Sequence, residues 1–465
     1  MSVNAGHSLT LTGPDRLVET APEVLAAFAA DRGPVLDYAE PLAVVWPTSV
    51  RGVQEVMRWA SATGTAVVPR GAGTGVSGGA HATGGCIVLC LDRMNRILEL
   101  NAQDEIAVVE PGVINADLNA AAAPHGLMYA PDPASYRIST IGGNVATNAG
   151  GLRCAKYGVT RDSVLALEVV LADGSLISTG HRTFKGVAGY DLTGLFTGSE
   201  GTLGIIVSIT VRLRYLPVAV RTIAAFFPDF PTAAAGVLAV GAARVQPAIM
   251  ELLDGATLDA LDGTHGSNLR TRGNALLLIQ TDGFGADAEA GVVRRVLAGL
   301  GGTVSTEGSA EAGRLVELRR HSRGDATAHE FRVGEDVAVP RSALVRYVAE
   351  LERMAERHRV RLRVVAHAGD GNLHPTFWVQ AADDGARKRL DAALDESITV
   401  ALSLGGTITG EHGIGQFKLR WLPQEQRAEV LELQRRVKAV FDPGGILNPG
   451  KAIPGGGPAN PAGPR

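Results

Sequence analysis

Two histidines, His367 and His374, flank Asp370-Gly371 in the run Val365-Ala366-His367-Ala368-Gly369-Asp370-Gly371-Asn372-Leu373-His374-Pro375. Asp-Gly between apolar runs is a strong short-range hairpin signal. A two-residue loop at Asp370-Gly371 predicts that 369 pairs with 372, 368 with 373 and 367 with 374. Directly opposed residues share a sheet face with Cβ atoms about 4.5–5.5 Å apart, so the two imidazoles would make two-thirds of a metal site. A helix would set them about 10 Å apart along its axis, too far to share an ion. Further on, Thr409-Gly410-Glu411-His412-Gly413-Ile414-Gly415 offers a carboxylate and a third imidazole between glycines. A His-His-Glu set with open positions suits Zn²⁺, Mn²⁺ or Fe²⁺. Asp370 and Asn372 read as turn formers rather than ligands.

Two glycine tracts carry the second chemical signal. Gly73-Thr74-Gly75-Val76-Ser77-Gly78 formally matches G-x-G-x-x-G, with Asp92 downstream. The Rossmann use of that pattern needs a helix whose N-terminus meets a pyrophosphate. Ala80-His81-Ala82-Thr83-Gly84-Gly85 and then a strand-like run follow instead, which argues against it. Bare backbone N–H groups can still form an anion nest, although a glycine-rich turn in a β-rich protein is the plainer reading of one tract. The second tract, 140–151, tips the balance: separated tracts suit a large, elongated cofactor contacted along its length.

The rest of the chain must position these groups. It has 465 residues, 45 % of them hydrophobic, and a net charge of −4. That is globular composition, and it argues against nucleic acid or an anionic membrane as main partner. No apolar run approaches a membrane span, and residues 1–12 lack the features of a secretory signal. Three cysteines with no disulfide-like spacing point to a reducing, cytoplasmic compartment. Helices are expected over about 20–32, 50–60 (capped by Thr48 or Ser49), 114–123 and 423–441. Strands are expected near 65–69, 86–91, 96–100, 106–109, 165–171, 175–178, 205–214 and 275–281. Pro217 closes the first half, and the Ala-, Arg- and Glu-richer remainder reads as α+β. The division expected is an N-terminal helical segment (1–39), a first domain (40–217), a second (218–405), a returning C-terminal segment (406–453) and a disordered tail (454–465).

Taken together, seven motifs give the chain a family resemblance. They are Pro69-Arg70-Gly71-Ala72-Gly73-Thr74-Gly75, Pro131-Asp132-Pro133, the tract 140–151, Gly198-Ser199-Glu200-Gly201-Thr202-Leu203-Gly204, 367–374, 410–415 and Leu447-Asn448-Pro449-Gly450-Lys451. Over about residues 40–451 the chain resembles the FAD-linked oxidases of the vanillyl-alcohol oxidase superfamily. The branch it resembles holds glycolate oxidase large subunits, D-lactate dehydrogenases and D-2-hydroxyglutarate dehydrogenases. The resemblance implies an α+β fold: a PCMH-type FAD-binding domain of two α+β subdomains, then a C-terminal α+β cap with a ferredoxin-like sheet. It implies FAD contacts from Arg70, Gly71, Ala72, Gly73, Thr74, Gly75, Ser77, Pro131, Asp132, Thr140, Gly142, Gly143, Asn144, Thr147, Asn148, Gly150, Gly151, Glu200, Gly201, Ile206 and Asn448. Covalent members carry a histidine where Thr74 stands, so the flavin is expected to be non-covalent.

The same resemblance implies roles at the reaction centre. His367, His374 and Glu411 become metal ligands, His412 the general base, and Arg319 the partner of a substrate carboxylate. The implied reaction oxidises a D-2-hydroxy acid to the 2-oxo acid. The metal acidifies the hydroxyl, His412 takes its proton and hydride passes to flavin N5. Electrons then go to a separate acceptor, whether quinone, electron-transfer flavoprotein or another carrier. Direct use of O₂ and D-2-hydroxyglutarate as substrate stay open as alternatives, as does a homodimer. Gly334, with Arg332 nearby, stands where the dicarboxylate branch has a lysine before Asp336-Val337-Ala338-Val339-Pro340. That departure favours a lactate- or glycolate-like acid.

Overall fold

Short, fully buried β-branched runs build the first sheet. In the computed structural model, which describes residues 15–34, 38–305, 310–320, 330–380 and 385–455, strands Ala43–Pro47, Ile87–Cys90 and Val67–Arg70 lie side by side and parallel. Arg16–Glu19 adds an antiparallel edge. Parallel strands covered on both faces read as continuous apolar runs, as these do. The helix Val50–Thr63 is capped by Ser49, whose side chain accepts from the Gly52 N–H, and ends at Gly64 in the left-handed region. It buries Val53, Val56, Met57 and Ala60, the face expected from their spacing. Cys86 and Cys90 are both buried and free.

A five-stranded antiparallel sheet follows, in the order Ile97–Asn101, Ile106–Val109, Ile205–Arg212, Val164–Val170, Leu176–Gly180. No helix follows the first glycine tract; a strand does, as its sequence required. Within the second tract Ile141–Thr147 is helical, an element not among the helices expected from the sequence. Thr140 caps it by accepting from the Gly143 N–H. Gly142 then lets the helix sit on Pro111: a Cβ there would lie 2.5 Å from the Pro111 Cβ.

The second half forms an eight-stranded sheet whose pairs are all antiparallel. Helices Phe230–Ala242, Ala286–Gly299, Leu344–His358 and Ala386–Ser403 contribute to the core on one face. The other face holds a smaller core with Leu258, Leu261, Leu315, Val316 and Leu152. The expected α+β architecture is thus present in both halves. The last helix is broken, with Leu422–Glu425 and Ala428–Phe441 where one helix was expected. The chain then returns to the first sheet, where Val67 N–H donates to Ile446 and Asn448 N–H donates to the Val67 carbonyl, at 2.8 Å each. Residues 1–14 and 456–465 lie outside the described residues, and the expected disordered tail falls there; of the helix expected over about 20–32, Pro22–Phe28 is helical.

The hairpin carrying the histidines differs from its two-residue expectation. Strands Arg361–His367 and Asn372–Gln380 pair with His367 opposite Asn372 and Val365 opposite His374. The loop therefore spans 368–371. Asn372 is drawn into the ladder because its side-chain amide donates to Asp336 Oδ1 at 2.7 Å and to the Val337 carbonyl at 2.9 Å. The histidines become diagonal neighbours rather than a direct pair. Side-chain direction alternates along a strand, so this even displacement keeps both on one face, where an odd one would have separated them.

Phe377 is fully buried on the opposite face of the same strand. Replacing it by alanine should destabilise the protein by about 3–5 kcal/mol, measured by urea denaturation.

Candidate active site

Three imidazoles converge on one carboxylate oxygen. Glu411 Oε1 lies 3.2 Å from His374 Nε2 and 3.5 Å from both His367 Nε2 and His412 Nε2. The His367 and His374 rings meet edge-on at 5.1 Å, and those of His374 and His412 stack at 5.0 Å. Four donors of the nitrogen-and-carboxylate type drawn this close are a natural cation-binding set, and His367, His374 and Glu411 satisfy the spacing for one ion. Burial alone would raise the Glu411 pKa, but His367, His374 and His412 outweigh it and hold the carboxyl well below its usual range.

Behind this cluster stand two buried carboxylates. Glu251 Oε1 is 2.6 Å from His367 Nδ1, the geometry of an N–H donated to a carboxylate, which turns Nε2 toward Glu411. Arg319 Nε lies 2.6 Å from Glu251 Oε2. Burial disfavours the His367 cation, yet Glu251 and Glu411 prevail and lift its pKa to about 10. Asp336, 0 % exposed, accepts N–H groups from Gly410 at 3.0 Å, Glu411 at 3.0 Å and His412 at 2.9 Å. It also accepts from Thr409 Oγ1, Asn372 Nδ2 and Lys418 Nζ. His374 Nδ1 and His412 Nδ1 each face it at 3.9 Å. Asp336, His374 and His412 also lie close enough for one ion, but Asp336 has its oxygens committed to these donors. Burial would raise its pKa; Lys418, His412 and His374 drive it well below the ordinary value.

Glu411 and His412 open onto a cavity of about 620 Å³, within the range of small-molecule sites. Both glycine tracts line it. Of the residues expected to contact a flavin nucleotide, Arg70, Gly71, Ala72, Gly73, Thr74, Gly75, Ser77, Thr140, Gly142, Gly143, Asn144, Thr147, Gly150, Glu200, Gly201 and Ile206 form its wall. Asn144 Nδ2, on that wall, is buried without a hydrogen-bond partner among the described residues, a donor suited to a bound polar group. Gly73 takes φ +66°, and a Cβ there would collide with the Arg70 guanidinium. The cradle thus fits an elongated, polar cofactor.

Pro131, Asp132, Asn148, Gly151 and Asn448 lie behind the wall. The Pro131 carbonyl accepts from Asn115 Nδ2, and Asn148 Oδ1 accepts from the Arg161 N–H. Gly151 backs onto Asp132, while Asn448 Nδ2 donates to the Gly79 and Glu200 carbonyls. Arg319, only 4 % exposed, is not on the wall. Its neighbour Arg320 is, and donates to Asp132 Oδ2 at 2.8 Å.

Sequence reasoning missed Glu251, Lys418 and the use of Asp336 as an anchor. Glu251 had a signal, being the lone charge inside the apolar run Ile249-Met250-Glu251-Leu252-Leu253. Lys418 had none, since its partners come from Asp336 and the Ile408 carbonyl.

Comparison with known proteins agrees with this geometry. Residues 41–180 match the FAD binding domain and residues 216–452 the C-terminal domain of FAD linked oxidases. The chain is 40 % identical to glycolate oxidase subunit GlcD of Bacillus subtilis, covering 88 % of each. It is 36 % identical to D-lactate dehydrogenase of Archaeoglobus fulgidus, over 89 % of this chain and 92 % of the relative. Its fold is shared with p-cresol methylhydroxylase, at a TM-score of 0.78 and 19 % identity over 94 % of each chain.

Gly150 ties the glycine wall to the imidazole cluster. A Cβ at this position would lie 2.5 Å from Glu411 Oε2 and 3.0 Å from the Glu411 Cβ. Gly150→Ala should push Glu411 away from the three imidazoles and so raise the pKa of its carboxyl, measured by pH titration of the histidine ring resonances, with the thermal transition retained.

Proposed function

The chain belongs to the FAD-linked oxidases, and on that premise we propose that it is an FAD-dependent, metal-assisted dehydrogenase of D-2-hydroxy acids. The observation that carries this reading is the convergence of three imidazoles on Glu411 at the end of a glycine-walled cavity. The names of two relatives, a glycolate oxidase subunit and a D-lactate dehydrogenase, support the substrate class. D-Lactate and glycolate are the simplest acids of that class. A non-covalent FAD, held along the wall by the two glycine tracts, supplies the two-electron acceptor. His367, His374 and Glu411 would hold a divalent Zn, Mn or Fe ion, which would supply the Lewis acidity that makes a hydroxyl easier to deprotonate.

The protein's own groups do the rest. His412 is the imidazole on the cavity wall, so its Nε2 takes the hydroxyl proton. Asp336, facing its Nδ1 at 3.9 Å, stabilises the imidazolium that results. Neutral imidazole is available near pH 7, which suits histidine to this task. Arg320, a guanidinium on the cavity wall that also holds Asp132, is our candidate for the substrate carboxylate. Arg319, the residue expected there, instead steadies Glu251 and through it His367. A bound FAD would supply the acceptor for the two electrons, with a separate carrier as its oxidant.

Anaerobic mixing with D-lactate, glycolate and larger D-2-hydroxy acids should bleach the flavin absorbance, and the L-acids should not. Failure of every acid to bleach it would sink the reading. His412→Ala should slow bleaching about 10²–10⁴-fold without loss of flavin, and a chelator should stop it reversibly. Cation affinity should also rise with pH. His367 holds a proton up to about pH 10, and an entering ion must displace it. Competitive titrations between about pH 6.5 and 8.5 should therefore show affinity rising roughly tenfold per unit.

A further inference from the structure

The reaction centre draws on both halves of the chain, and one short element of the first half enters the second. Just beyond the second glycine tract, Cys154–Tyr157 forms a single helical turn. On one side Ala155 packs against Gly369, in the loop 368–371 that joins the two histidine strands. A Cβ on Gly369 would lie 2.7 Å from the Ala155 Cβ. On the other side, Cys154 Sγ would lie 3.4 Å from a Cβ on Gly150, the glycine that backs Glu411. The turn is thus a wedge between the histidine hairpin and the flavin-cradle wall.

A carboxylate of the cap holds this wedge. Asp282, the last residue of strand Ala275–Asp282, is 6 % exposed. Tyr157 donates its hydroxyl to Asp282 Oδ2 at 2.6 Å. Lys156 Nζ pairs with Oδ1 and donates to the Asp282 carbonyl at 3.3 Å. Gln246 Nε2 adds a bond to the Ala155 carbonyl at 3.2 Å. Burial first, and the bond to Asp282 second, push the Tyr157 pKa up, so the phenol remains a donor at neutral pH. Strand Ile249–Asp254, which carries Glu251, pairs with the Asp282 strand. The Gly369 N–H donates to its Met250 carbonyl at 3.2 Å. Asp282 therefore reaches the same hairpin loop twice, through the wedge and through the sheet. Charge-assisted bonds from a buried carboxylate are strong and directional, whereas contact of Ala155 with Gly369 alone sets no direction.

We propose that Asp282, acting through Lys156 and Tyr157, is a positioning residue that sets how far the histidine pair stands from the flavin wall. None of the three lies on the cavity wall, so the clamp acts on geometry alone. This inference rests on the His–Glu cluster being the reaction centre of the proposed oxidation. A misplacement of about 1 Å in such a centre costs roughly 10²-fold in rate, and the clamp ties together the two surfaces whose separation matters.

Tyr157→Phe removes one hydroxyl at nearly constant volume, Lys156→Met removes the cation, and Lys156→Arg keeps it. The substrate is whichever of D-lactate and glycolate bleaches the wild-type holoenzyme. Anaerobic stopped-flow at saturating acid should show Lys156→Met slowed roughly 10–100-fold, Tyr157→Phe roughly 3–10-fold and Lys156→Arg within about threefold of wild type. FAD content and KM should hold, the loss falling on kcat. A lower thermal transition with an unchanged rate per bound flavin would mark an ordinary interdomain ion pair and overturn the proposal. A second readout needs no turnover: Mn²⁺ at the histidine cluster enhances relaxation of the FAD ³¹P resonances, steeply with distance. For a shift of about 1 Å, Lys156→Met should lower that enhancement by roughly a third or more. If no acid bleaches the flavin, the dehydrogenase reading fails and the relaxation alone decides. A lowered enhancement then supports the clamp, and an unchanged one, or none in wild type, rejects it.

Discussion

One loop, 410–415, bears both Glu411 and His412, and its shape is held by two buried carboxylates. Asp336 gathers three successive backbone N–H groups from the cap side. Glu200 accepts those of Ile414 at 2.8 Å and Gly415 at 2.7 Å from the first domain. A carboxylate accepting several backbone N–H groups is strongly favoured as the anion, and Lys418 adds a cation to Asp336. Without these anchors a loop of glycines would have no reason to present a carboxylate and an imidazole in one geometry. The rest of the centre is built around that fixed point.

Its surroundings show why glycine recurs there. Gly413 takes φ +77°, and a Cβ on it would lie 3.0 Å from the Glu200 carboxyl. Gly415 takes φ +52°, and its Cβ would strike the Ser77 carbonyl at 2.1 Å. Gly150 makes the corresponding allowance for Glu411 from the opposite wall. Close backbone approach lets the flavin-cradle tracts and the imidazole cluster share one cavity. In the proposed oxidation, proton abstraction and electron acceptance act on adjacent atoms of one substrate, so this adjacency would serve the chemistry as well as the packing.

The cap sheet contributes rigidity and direction. His367 and His374 sit on paired strands whose far face is packed by Leu373, Phe377 and Val364. Glu251, from the neighbouring strand, opposes His367 directly in the ladder and orients its ring.

Local pattern alone located much of this. The glycine tracts, the His-x₆-His run and the Gly-Glu-His-Gly loop are short-range signals with a physical meaning, and they pointed to residues that line one cavity and to the imidazole cluster. Helix Val50–Thr63 and strand Ala275–Asp282 were legible because their periodicity and caps lie within the segment. What sequence could not decide depended on partners distant in the chain. The hairpin register was set by Asn372 reaching Asp336, the helix Ile141–Thr147 by a cap and by packing on Pro111, and the separate ion pairs of Arg319 and Arg320 by Glu251 and Asp132. Residue types thus determine which chemistry is possible. Long-range burial and hydrogen bonding decide which nitrogen faces which oxygen, because those contacts form only after the sheets have brought the segments together.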